Sequence, residues 1–133
     1  AGAGAAPSFS ASGKVLQVVH VYNASISSIN ATSYADVTNA ASDIVSIGAS
    51  STFLVEYNPT GFHFNNVSNM CHLLLVRTIG GSATSVGTAA HNSATINYKV
   101  QVKVDNTDLT CKIGGNENGQ GFGQSFTIME IGA

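Results

Sequence analysis

Between Ala94 and Val104 the chain alternates without interruption. Ile96, Tyr98, Val100, Val102 and Val104 are apolar, and Thr95, Asn97, Lys99, Gln101 and Lys103 between them are polar. Successive side chains of a strand point to opposite faces, so this period of two gathers every apolar group on one side. A helix would scatter the same residues around its circumference. The segment is therefore a strand with one face in a core and the other in water. Such a strand needs a sheet around it, and the rest of the chain has to supply it.

The candidates are numerous. Lys14–Tyr22 is rich in β-branched and aromatic residues on both faces, with Val15, Val19 and Val21 on one and Leu16, Val18 and Tyr22 on the other. Ser33–Thr38 and Ile44–Ile47 are shorter candidates. Phe53–Tyr57 sets Phe53, Val55 and Tyr57 against Thr52, Leu54 and Glu56, and Asn58-Pro59-Thr60-Gly61 then provides turn chemistry. Met70–Ile79, ended by Gly80-Gly81, is again apolar on both faces; Leu109–Ile113 and Ser125–Ile131 complete the set. No stretch sustains a 3.6-residue period with caps; Ala35–Ser46 comes nearest, but its Val, Thr, Asn and Ser content argues against a helix. Eight to ten short strands at this spacing predict an all-β antiparallel sandwich of jelly-roll type over residues 14–133. A sandwich covers only one face of each strand. The second apolar face of Lys14–Tyr22 and of Met70–Ile79 calls for another layer, which packing of identical subunits supplies.

Composition narrows the function. At 133 residues and 13.6 kDa the chain has the size of one domain. Only 9 % of it is charged, against about 25 % in an average soluble protein. Gly, Ser, Thr and Asn together supply 53 residues, so solubility rests on neutral polar groups. Five basic residues and a net charge of −2 offer no footprint for phosphates or anionic lipid, which excludes nucleic acid and membrane surfaces as expected partners. Apolar runs such as Leu73–Val76 are strand-sized, far short of a bilayer span. Residues 1–13, AGAGAAPSFSASG, lack the basic and apolar regions of a secretory signal, and the start without Met fits removal of an initiator. Small and uncharged, they read as a flexible arm that a partner orders, with Pro7 and Phe9 as its anchor residues.

Groups that could converge on a reaction are missing. The sequence has no GxSxG elbow, HExxH, Walker loop or zinc-spaced cysteine pair, so no enzyme and no cofactor is expected. His20, His63, His72 and His91 lack ligand spacing, except for His63 with His72. The seven acids are dispersed; Asp105 and Asp108 bracket an apparent turn at Asn106-Thr107, where Asx side chains cap their own backbone. Three N-x-S/T sequons, at Asn23, Asn30 and Asn66, match the roughly two to three that chance gives in so Asn- and Ser-rich a chain. Cys71 and Cys111 lie too far apart for a CxxC motif and are expected as buried free thiols, or as one bridge in an oxidising compartment. Ile113–Gln124 holds five glycines between two strands; lacking a helix N-terminus it cradles no phosphate. It is either a mobile hairpin loop or a displayed contact loop, formed by Asn116, Glu117 and Asn118 with Phe122 at its tip.

Two segments carry a family resemblance. Gly13-Lys14-Val15-Leu16-Gln17-Val18-Val19 and Ser125-Phe126-Thr127-Ile128-Met129-Glu130-Ile131 resemble the opening and close of a domain found in structural proteins of tailed bacteriophages, whose members start GKVLQVV and end S-x-T-V-M-E-I. Between them Thr32–Thr38, Phe53–Tyr57, Leu75-Val76-Arg77 and Tyr98–Gln101 follow in the order of that family, so the likeness covers residues 13–132. Cys71-His72, Cys111 and the glycine-rich loop depart from its pattern. The resemblance implies a homotrimeric jelly roll shaped like complement-head and tumour-necrosis-factor domains, located in the virion, with no catalytic residues. It implies a capsid decoration or cement protein bound to the major capsid protein, and the brevity of the arm favours this over a fibre. The alternative is a tail-fibre or receptor-binding tip that recognises a host surface glycan through loops such as Ile113–Gln124 and Gly80–Asn92. A secreted lectin-like module is a third reading, from another class.

Overall fold

A computed structural model describes residues 13–48, 50–65, 70–85, 95–116 and 118–133. Among them there is no helix, and all named strands pair antiparallel: the fold is all-β. Its strands are β1 (Val15–Asn23), β2 (Ser27–Ile29), β3 (Ala35–Val45), β4 (Thr52–Pro59), β5 (Phe62–Phe64), β6 (Cys71–Ile79), β7 (Ser82–Ser85), β8 (Thr95–Val104), β9 (Cys111–Ile113) and β10 (Gln124–Ile131). They form three sheets, ordered β1-β10-β4, β3-β8-β6-β7 and β2-β9-β5.

The alternation in β8 is realised as expected. Ile96, Tyr98, Val100, Val102 and Val104 are buried, and the residues between them are not. The final strand alternates in the same way, burying Gln124, Phe126, Ile128 and Glu130. β8 and β10 are each flanked on both sides, and their apolar faces meet across the core, where the Phe53 and Tyr98 ring centroids stand 6.2 Å apart. β9 closes one end, with Leu109, Cys111 and Ile113 all at 0 % exposure.

The structure corrects the expected face pattern of the first strand. The β1–β10 register slips between Val15 and Gln17, so Val15 pairs with Ile131 while Gln17 pairs with Glu130. The slip is a β-bulge, which takes an extra residue and reverses the side a strand presents. Gln17, Val19 and Val21 share the inward face of Glu130, Ile128 and Phe126, whereas Val15 is turned out. Of the opposite set, Val18 and Tyr22 are exposed, but Leu16 lies against the Gly48 loop. The separate candidates Ser33–Thr38 and Ile44–Ile47 are corrected to one long strand, β3 (Ala35–Val45), which carries a second irregularity between Asp36 and Ala41, where Asn39 has φ +58°. Asn58 and Pro59, expected to open a turn, instead extend β4 against β10, and the chain bends at Thr60 on its way to β5 in a different sheet. Gly61 is needed there because a Cβ would meet the Gly115 backbone.

If β8 is the central wall of the core, polarity on its inward face is intolerable. Val102→Asp buries an unpaired carboxylate and should lower stability by about 3–5 kcal/mol. Lys103 faces out over the Tyr34 ring, 5.1 Å from its centroid. Lys103→Ala should therefore lose only about 0.5–1 kcal/mol. Denaturant titration of both variants measures the contrast.

Candidate functional site

The two large sheets differ on their outer faces. On β3-β8-β6-β7 the rows of β3 and β8 are polar at their centre, where Lys99 Nζ donates to Asp36 Oδ2 at 3.1 Å, Gln101 Nε2 to Asp36 Oδ1 at 2.7 Å, and Asn97 Nδ2 to Asp43 Oδ1 at 2.8 Å. Val45 at the end of β3 and Leu74 on β6 add apolar groups to that face. Hydrogen bonds from Lys99 and then Gln101 hold the Asp36 carboxyl below its ordinary range. The outer face of β1-β10-β4 is apolar along one row. Register places Val18, Met129 and Leu54 side by side across three strands, with Val18 52 % and Leu54 47 % exposed. Val15 and Ile131 extend it toward one end. Toward the other end come His20, Thr127 and Glu56, then Tyr22, Ser125 and Asn58. His20 Nδ1 and Thr127 Oγ1 are hydrogen-bonded at 2.8 Å.

One end of this sheet is fastened by a buried carboxylate that sequence reasoning missed. Glu130 faces inward at 0 % exposure and accepts hydrogen bonds from Ile47 N–H (3.0 Å), Gly48 N–H (2.9 Å), Ser46 Oγ (3.0 Å) and Gln17 Nε2 (2.5 Å). Gln17 also donates to the Val45 carbonyl at 2.6 Å. Burial alone would push the Glu130 carboxyl up, but the hydrogen bonds, that from Gly48 foremost, outweigh it and hold the group at about 2. The sequence carries no local signal for this cluster, because its donors lie more than eighty positions away along the chain.

At the opposite end lies the glycine-rich segment. Gly115 and Gly121 bridge, and Asn116 Oδ1 accepts from Asn118 N–H (3.1 Å) and Gln120 N–H (2.9 Å) while its amide donates to Gln120 Oε1 (2.6 Å). The described part of this loop is held by its own side chains rather than left open. Asn118–Gln120 forms the tip; Phe122, 51 % exposed, sits at the base, where its N–H donates to Gly114 O at 2.7 Å. That corrects the expected position of Phe122. Gly123, at φ +87°, admits Tyr22: a Cβ there would stand 2.7 Å from the ring's Cζ. Tyr22 is 63 % exposed, so two aromatic rings and several amides face solvent at this end. Pro7, Phe9 and Glu117 lie outside the described residues.

The described histidines His20, His63 and His72 do not converge, and His91 lies outside the described residues. His63 pairs with Lys112 in the small sheet, and His72 Nε2 binds Asp105 Oδ1 at 2.6 Å. Among the described residues no three His, Cys, Asp or Glu side chains are grouped as metal ligands. At the 105–108 turn Asn106 accepts from Asp108 N–H at 3.1 Å, while Asp105 turns to His72 and to Met70 N–H, so the capping role falls to Asn106. Neither cysteine is disulfide-bonded; Cys111 is buried and Cys71 only half so. Compared with known protein families, curated proteins and solved structures, the chain finds no match.

The Glu130 clamp generates an acid dependence. The carboxyl titrates near 4.5 outside the fold and about 2 within it. Its stabilisation is therefore fully present above pH 4.5 and is lost as pH falls toward 2. Glu130→Gln should reduce stability at neutral pH by about 2–3 kcal/mol. It should also flatten the acid limb of a stability–pH profile measured by chemical denaturation.

Proposed function

We propose that this chain is a structural subunit of a bacteriophage virion, a homotrimeric jelly roll that decorates the capsid and is anchored to the major capsid protein partly by residues 1–13. Three features support the jelly roll. β1 pairs β10, β3 pairs β8, and β6 pairs β7, so the chain nests pair within pair like one long hairpin rolled up on itself. The strands fall into two large facing sheets, and the connection from β3 to β4 crosses between them. The sequence resemblance points to the same class.

The observation that carries the trimer is the apolar row Val18–Met129–Leu54 on the outer face of β1-β10-β4. Leaving such a row in water is unfavourable at about 25 cal/mol per Å² of apolar surface. The centre of the opposite face is instead occupied by paired and hydrogen-bonded charges.

The receptor-tip reading draws on a different observation. The Asn118–Gln120 turn, held by Asn116, together with exposed Phe122 and Tyr22, offers stacking rings beside amide donors and acceptors, chemistry that suits a neutral glycan. Copy number in the particle separates the readings: hundreds per virion for a decoration protein, tens or fewer for a tail tip.

Light scattering after gel filtration should return three times 13.6 kDa. Val18→Lys and Leu54→Glu should each shift it toward monomer without loss of the β-sheet circular-dichroism signal; an unaltered mass would move the interface elsewhere. Deleting residues 1–12 spares the Gly13 N–H to Gly132 O bond and should leave the fold and its melting temperature intact. It should weaken binding to undecorated shells, compared side by side with the full chain. Undiminished binding would remove the arm from the attachment.

A further inference from the structure

We propose that Cys71 and Cys111 are a preorganised dithiol that closes to an intrachain disulfide, stapling the four-stranded sheet to the small β2-β9-β5 sheet. Cys71 opens β6 opposite Val104, whose side chain is 1 % exposed, so Cys71 projects to the inward face; Cys111 opens β9 at 0 % exposure. Cys71 packs against the core cluster that contains Cys111, and its side chain is one of the neighbours that push the Cys111 thiol up.

Both sulfurs stand on backbone that is already fixed. Met70 and His72, the neighbours of Cys71, are each tied to Asp105: Met70 N–H donates to Asp105 Oδ2 at 3.3 Å, Asp105 N–H returns to Met70 O at 3.3 Å, and His72 Nε2 meets Oδ1 at 2.6 Å. Next to Cys111, Thr110 N–H donates to Asn65 Oδ1 at 2.8 Å. Four residues on from Asp105, Leu109 N–H closes the turn on Asn106 O at 3.0 Å. The pair is thus held in register by contacts that do not involve sulfur, which raises the effective concentration of one thiol at the other.

The two thiols differ in access, and this sets the order of events. Cys71 is half-buried, whereas Cys111 is enclosed and burial pushes its thiol up, keeping it protonated. The oxidant is a low-molecular-weight disulfide such as glutathione disulfide. The Cys71 thiolate attacks one sulfur, forming a mixed disulfide and releasing one glutathione thiolate. Cys111 then attacks the Cys71 sulfur of that mixed disulfide, the glutathione leaves as a second thiolate, and the Cys111 proton passes to it. Two protein thiols are oxidised, and one disulfide is reduced to two thiols. A chain made in a reducing compartment carries the dithiol; once in an oxidising medium it is locked. Closing a loop of roughly forty residues constrains the unfolded state and so raises stability.

The test uses the native full-length chain incubated with excess glutathione disulfide, then acid-quenched, denatured, alkylated and weighed. The expected product is lighter by two hydrogens, takes no alkylating label, and shows a single Cys71–Cys111 peptide on mapping. Its melting temperature should rise by about 5–10 °C. Cys111→Ala should stop at one glutathione adduct on Cys71, and Cys71→Ala should take up none while folded. Mapping of the unmutated chain stands whether or not either variant folds. Two thiols still open to label after native treatment, a bridge between chains instead of within one, or equal reactivity of the Cys71→Ala chain would each overturn the proposal.

Discussion

A buried carboxylate held by neutral hydrogen-bond donors fastens one end of this fold. Glu130 lies on the inward face of β10, the middle strand of its sheet, where an ion without partners is strongly unfavourable. What satisfies it is neutral: the N–H groups of Ile47 and Gly48, the Ser46 hydroxyl and the Gln17 amide. The dependence runs both ways. The loop after β3 has to turn its N–H groups inward for Glu130 to remain ionised, and Glu130 has to be ionised for those groups to be satisfied. Because this loop carries the chain from the four-stranded sheet into β4, one residue of β10 fixes the connection between the layers. It also sets Ser46 inward and leaves Val45 and Ile47, on either side of it, exposed.

With the layers fixed, the centres of their outer faces differ in kind. On β3-β8-β6-β7, charges sit in a row with partners of opposite sign or neutral amides, and such exposed pairs each contribute only about 0–1 kcal/mol. Their effect is to keep that face wet and unattractive to another sheet. The face of β1-β10-β4 has the opposite character, since its middle row has no polar atom to hydrate. The bulge in β1 sharpens the difference. By turning Val15 outward and Gln17 inward it lengthens the apolar strip and at the same step delivers the amide that Glu130 requires.

Where the sequence was legible, a single period was enough. β8 and β10 are unbroken strands in the middle of their sheets, so alternation maps directly onto burial. Where a bulge intervenes, the same rule misleads: nothing in Val15-Leu16-Gln17 announces that two residues of β1 oppose one of β10. β3 reads as two pieces because its irregularity between Asp36 and Ala41 breaks the alternation. The short strands β2, β5 and β7 escape prediction for another reason. They are three or four residues long and exist because a longer or more buried neighbour pairs with them. The glycine-rich loop was recognisable from composition, but its fixed shape comes from one side chain, Asn116, acting across four residues. Val18 was legible as a surplus apolar residue. Its alignment with Met129 and Leu54 follows from strand order, which no local pattern encodes.

The scarcity of charge bears on how copies of such a chain could recognise one another. Electrostatic complementarity ordinarily steers encounter and rejects wrong registers. Apart from the Tyr22 phenol, the titratable side chains in the paired rows of the β1-β10-β4 face are His20 and Glu56, separated by Thr127 in a single row. Register in any assembly through this face must then come from shape: a ridge of Val18, Met129 and Leu54 bounded by the His20–Thr127–Glu56 row on one side and by Val15 and Ile131 on the other. A ridge of fixed shape requires a rigid sheet, and that rigidity returns to β10. Its outer residues form the middle of the ridge while its inner residues, Phe126, Ile128 and Glu130, are locked into the core and the clamp.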